Sequence, residues 1–132
     1  MATIEIPRFF PCRLQADSLD YGANFACIDL PIDGRRKALL MFSTRELAER
    51  FIAETGKSLN GWIAAYMGYD VMAPWLARAA QVSEADSIVV DIRALGLHQA
   101  HVADVETVLT TLNTGDTESG DPLSVEVEAY SL

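Results

Sequence analysis

Lys37–Phe42 reads KALLMF, apolar almost throughout. A short apolar run without alternation predicts a central strand buried on both faces. Such a strand lies inside a covered sheet, so the rest of the chain must supply neighbours and cover. Upstream, Asn24–Leu30 (NFACIDL) alternates, and Asp33-Gly34 marks a turn, so Asn24 to Phe42 is predicted to be a hairpin. Thr3–Ile6 is a further strand. Phe9–Leu14 is broken by Pro11 and suits an edge or a bulge.

A helix follows. Ser43-x-x-Glu46 has the form of a capping box, Leu47, Ala48, Phe51 and Ile52 make an apolar stripe, and Gly56 suits a left-handed stop. From Asp70 a second helix is expected, with Met72, Trp75, Leu76 and Ala79 on one face and Pro74 in its first turn. Ser87–Ile92 reads as a strand and Ala94–Gly96 as a turn. His101–Asn113 reads as a third helix with Val102, Val105, Leu109 and Leu112 on one stripe. The expected architecture is α+β: a mostly antiparallel sheet with two to three helices packed on it. Residues 1–115 form one domain on this reading. Residues 116–132 are an acidic tail or an edge strand, the alternation of Val125 and Val127 with Glu126 and Glu128 fitting either.

Composition excludes several classes of function. Half of the 132 residues are hydrophobic and 22% are charged, which fits one globular domain. Residues 1–80 carry nine basic and nine acidic side chains, so the net charge of −9 resides in residues 81–132, where Arg93 stands against ten acids. Nucleic acid and anionic membranes both require basic surface and are not expected partners. The opening residues lack the pattern of a secretory signal, and Asp70, Pro74 and Arg78 interrupt the most apolar window, so the expected compartment is the cytoplasm. There, Cys12 and Cys27 are expected as buried free thiols.

The residues that could carry chemistry are sparse. His98, His101 and Asp104 could approach one another on a helix, but HxxH lacks the glutamate base and the spacing of a zinc motif, so neither a metal nor a cofactor is expected. There is no GxSxG elbow and no glycine-rich phosphate cradle. Asp29 and Asp91 end strands, where acid–base pairs and solvated aspartates both occur. Arg35, Arg36 and Lys37 form the only basic run and read as a solvated turn flank.

The stretch SLNGWIAAYMGYDVMAPWL (Ser58–Leu76) is the richest in large side chains. Its candidate binding residues are Trp62, Tyr66, Tyr69 and Trp75. Leu59–Met67 reads equally as a short strand or as a helix; on a helix Trp62, Tyr66 and Tyr69 would share a face. Aromatic residues with a polar tip suit either a core or a contact rim.

CIDLPIDGRRKALLMFSTRELAERF (Cys27–Phe51) resembles the N-terminal domain of the SseB family of bacterial proteins. A strand ends in Pro31, a turn at Asp33-Gly34 follows, and an apolar strand runs through Leu40 and Phe42 into Ser43-Thr44, where a helix starts. A further helix and an IVVD-like strand (Ser87–Asp91) extend the resemblance over about residues 25–96. It implies a small cytoplasmic α+β domain with an interaction or regulatory role and no established catalytic residues. Two functions are therefore in view: a non-catalytic domain binding a protein partner or itself, or a small ligand binder or enzyme with a pocket beside residues 62–75. The non-catalytic reading is preferred.

Overall fold

A computed structural model describes residues 2–13, 24–30, 32, 34–56, 61–93 and 99–131. Lys37–Met41 (β5) has its side chains in two cores at once. Leu39 and Met41 pack into one apolar cluster, while Ala38 and Leu40 pack into another, and all four are buried. Ser87–Val90 (β7) lies parallel to it and is divided in the same way, Ile88 and Val90 to one side and Val89 to the other. This is the two-faced burial that the apolar runs require.

The remaining strands are Ala2–Glu5 (β1), Phe9–Arg13 (β2), Asn24–Phe25 (β3), Cys27–Asp29 (β4), Trp62–Tyr66 (β6), Gln99–Asp104 (β8) and Ser124–Ser131 (β9). The larger sheet has the order β1-β9-β8-β7-β5-β4, and the smaller is β3-β2-β6. Every pairing except β5–β7 is antiparallel. The sheets are joined where Phe9 and Phe42 exchange backbone hydrogen bonds of 3.3 and 2.8 Å. Among the described residues three helices, Arg45–Glu54 (α1), Tyr69–Ser83 (α2) and Val105–Thr114 (α3), complete the α+β fold. No helix among the described residues is long and apolar enough to cross a membrane.

Several local expectations are corrected. The cap of α1 is Thr44, whose Oγ1 accepts from the Leu47 N–H at 3.2 Å. Ser43 is drawn off by Asp91: its N–H and Oγ–H donate to the two carboxylate oxygens at 2.8 and 2.7 Å. Pro74 lies in the second turn of α2, because the helix already begins at Tyr69. It removes the N–H that would bond the Asp70 carbonyl. His101 and Val102 belong to β8, not to a helix; α3 starts only at Val105, and Val105, Val108 and Leu112 are its buried residues. The hairpin joins Ala26–Leu30 to Arg36–Leu40, since Asn24–Phe25 pairs with β2 instead.

β2 is the middle strand of its sheet despite Pro11. Met67 N–H donates to the Arg8 carbonyl at 2.7 Å, which makes Pro11–Ala64 a pair that exchanges no hydrogen bonds. On the other side, β3 reaches only Cys12 and Arg13. Pro11 therefore costs no ladder bond to either neighbour.

The C-terminal strand is not at an edge. β9 lies between β1 and β8, with Val125 and Val127 buried in the main core beside Ile88 and Val108. Its acidic residues take the exposed face. A strand from the far N-terminus supplies the outer partner, a pairing across the whole chain that alternation alone cannot reveal.

Candidate functional site

The aromatic stretch divides between core and surface. β6 is a strand, so Trp62, Ala64 and Tyr66 alternate onto one face, and Tyr69 falls on the following helix. Trp75 is buried, its ring 4.5 Å from Phe10 and 6.4 Å from Phe25. Tyr69 is also buried, and its hydroxyl donates to the Ile6 carbonyl at 2.6 Å. Trp62 is half-buried against the α1 core. Tyr66 alone of the four is well exposed, at 52%. The helical stripe therefore does not form, and Tyr69 and Trp75 serve packing rather than an accessible surface.

What gathers around Tyr66 was not visible in the sequence. Phe9, directly opposite on β2, meets the Tyr66 ring edge-on at 5.3 Å. The Arg45 guanidinium lies 5.3 Å from the Phe9 ring, and the Arg8 guanidinium stacks 4.0 Å over Tyr69. Arg8 also reaches the Tyr66 hydroxyl at 3.5 Å, the Gly120 carbonyl at 3.2 Å and Glu5 at 3.7 Å, while its Nε is buried without a hydrogen-bond partner. The result is a continuous row of two arginines and three aromatic rings, Arg45, Phe9, Tyr66, Arg8 and Tyr69, across the β2–β6 junction. Ile63, 47% exposed, flanks it on the other face of β6.

Tyr66 and Arg8 stand between two depressions. One, of about 430 Å³, includes Gly68, Asp70 and Glu118 in its wall. The other, of about 260 Å³, includes Glu5, Phe9 and Ser43. Trp62, Asp29 and Asp91 line neither.

The remaining chemical candidates are scattered. Asp29 is level with Lys37, whereas the Asp91 N–H donates to Met41 at the opposite end of β5. At about 3.3 Å per residue the two are roughly 13 Å or more apart, too far to share a proton. Asp91 sits at φ 59° and holds Ser43 instead. His101 is on β8 opposite Val90, His98 lies outside the described residues, and no group of three metal-ligating side chains occurs among the described residues.

Arg35 is not a solvated flank. It donates to the buried Ser87 hydroxyl at 2.8 Å and to Asp104 at 2.7 Å, with Glu128 at 4.0 Å. The Arg36 backbone N–H donates to the Asp86 carboxylate, while its side chain is exposed, so only Arg35 departs from the expectation. Beside it an open groove of about 710 Å³ runs along α3, remote in sequence from the aromatic stretch. Cys12 is buried, and burial pushes its thiol pKa up, away from reactivity. Cys27, expected to be buried, is exposed on β4.

No family model matches the chain, and no curated protein matches it.

Proposed function

We propose that this chain is a non-catalytic interaction or regulatory domain that binds a protein partner, or a second copy of itself, through the surface around Tyr66. The observation that carries this reading is the exposed Tyr66 ring between two depressions, with Phe9 edge-on against it and Arg8 at its hydroxyl. Tyrosine and arginine are the residue types that dominate binding energy at protein interfaces. Here their rotamers are already constrained by one another, which reduces the entropy lost on docking. The resemblance of Cys27–Phe51 to SseB-like domains supports the same class of role.

A photo-crosslinking side chain placed at position 66 tests the reading, with the same group at Val82 as an exposed control on α2. A discrete adduct specific to position 66, lost on competition with the unmodified chain but not with its Tyr66→Ala variant, is the expected result. Equal labelling at both positions would remove the basis for this surface.

A further inference from the structure

Between α3 and β9 the chain makes an excursion, Asp116 to Pro122, whose two feet touch. At one foot the Gly115 N–H donates to the Thr111 carbonyl at 2.9 Å. At the other the Leu123 carbonyl accepts from the Ile6 N–H at 2.7 Å, and the Leu123 side chain packs on the main core. A Cβ added to Gly115 would lie 2.9 Å from a Leu123 methyl, so the feet are in contact. Compact surface loops with closed ends are frequently functional. Closed feet also let such a loop swing without pulling on the elements it joins.

The loop carries its own scaffold. The Glu118 and Ser119 N–H groups donate to the Asp116 carboxylate at 3.1 and 3.2 Å, and the Asp121 N–H donates to Ser119 Oγ at 3.2 Å. From Asp116 to Pro122 every residue except Thr117 is exposed. Among the described residues a single hydrogen bond ties the loop to the rest of the molecule: Arg8 Nη2 donates to the Gly120 carbonyl at 3.2 Å. Gly120 presents that carbonyl at φ 80°, a conformation glycine takes without steric cost. Thr117, Glu118 and Gly120 wall the depression of about 430 Å³ beside Tyr66, whose other residues are Arg8, Tyr66, Gly68, Tyr69 and Asp70.

We infer that Asp116 to Pro122 is a lid on this depression, latched by Arg8 at Gly120. On release the loop turns about Gly115 and Leu123 and carries Glu118 away from Asp70. Repulsion between two carboxylates in one depression favours that movement. The open state exposes more of Tyr66 and Tyr69. Its use as a gate for a partner rests on the function proposed above; the lid itself does not.

The test is digestion of the intact chain with a glutamate-specific protease, each cut timed by mass spectrometry. When opening is fast, cutting follows the population of the open state. Arg8→Met keeps an aliphatic side chain over Tyr69 and removes the latch. A hydrogen bond from a charged donor holds such an equilibrium by about tenfold or more, so cutting after Glu118 is expected to accelerate by about that factor. Cutting after Glu106 in α3 and Glu126 in β9 is expected to stay at the wild-type rate. Tyr69→Phe, which weakens the core but keeps the Gly120 bond, is expected to leave the Glu118 rate unchanged. Three results overturn the inference: a folded Arg8→Met chain cut after Glu118 at the wild-type rate, Glu118 and Glu126 cuts that accelerate together, or an equal acceleration at Glu118 by Tyr69→Phe. If Arg8→Met does not fold, Arg8→Lys is judged by the same criteria, since it keeps the charge but loses the fork that reaches Gly120. No partner is needed for this readout, so it and position-66 crosslinking fail separately.

Discussion

Tyr66 and Tyr69 are three residues apart and have opposite roles, which their hydroxyls make measurable. The Tyr69 hydroxyl is buried and donates to the Ile6 carbonyl at 2.6 Å. Tyr69→Phe leaves that carbonyl without its donor and is expected to cost about 1–2 kcal/mol, read from the urea midpoint. Tyr66→Phe removes an exposed hydroxyl whose contact to Arg8 is long, at 3.5 Å, and is expected to change stability by less than about 0.5 kcal/mol. Equal effects would mean that the division between core and surface is misplaced. Composition identified this stretch as the one worth attention, but it could not separate these two tyrosines. Both occupy plausible helical spacings, and only the strand at Trp62–Tyr66 sends them to different environments. Arg8 and Arg45 carry no local pattern at all. Their partners lie 61 positions away in Tyr69 and 19 positions away in Ala64.

Among the elements, β5, α1 and β7 were legible because one signal dominated each: unbroken apolarity in the strands, a stripe and a glycine stop in the helix. Gly56 does take φ 72° just after α1. Where two periods compete, the reading failed. In QAHVAD, burial of Ala100, Val102 and Ala103 is compatible with either a strand or the start of a helix, and pairing with both β7 and β9 decides for the strand. Pro74 failed for a different reason. A proline is tolerated best in a first turn, but Met72, Trp75, Leu76 and Ala79 are all buried, and their combined packing holds the helix through Pro74. This makes a prediction at the scale of the helix. Pro74 is exposed, so Pro74→Ala loses little packing and restores an N–H for the Asp70 carbonyl. The gain in helix propensity, about 3 kcal/mol at most, is offset by roughly 0.4–1 kcal/mol of added freedom in the unfolded chain. A net rise in stability of about 1–2 kcal/mol is expected in urea unfolding. A fall would show that the pyrrolidine ring itself is packed.

At the scale of the whole molecule, the informative pairing is the one between the two ends of the chain. β9 bonds β1 on one side and β8 on the other, with Ala2 level with Val127 and Val102 level with Glu128. Local sequence could register the alternation of valine and glutamate but not the two strands that enclose it, because both partners are distant and one is only Ala2–Glu5. The consequence separates an inner strand from a dispensable tail. Ending the chain after Gly120 would remove Val125 and Val127 from a core in which they are 2% and 3% exposed, strip β1 of its strand partner among the described residues, and uncover β8. Burial of each valine is worth roughly 1.5–3 kcal/mol, and the ladder bonds of two pairings are lost as well, against a typical total stability of about 5–15 kcal/mol. The truncated chain is therefore expected to lose cooperative unfolding and near-ultraviolet circular dichroism altogether. Glu126→Lys at an exposed position of the same strand should leave both intact, because it changes charge and not burial. A truncated chain that still unfolded in one sharp transition would return the last residues to the status of a tail, and would place the molecule's stability in the β5–β7 centre and its helices alone.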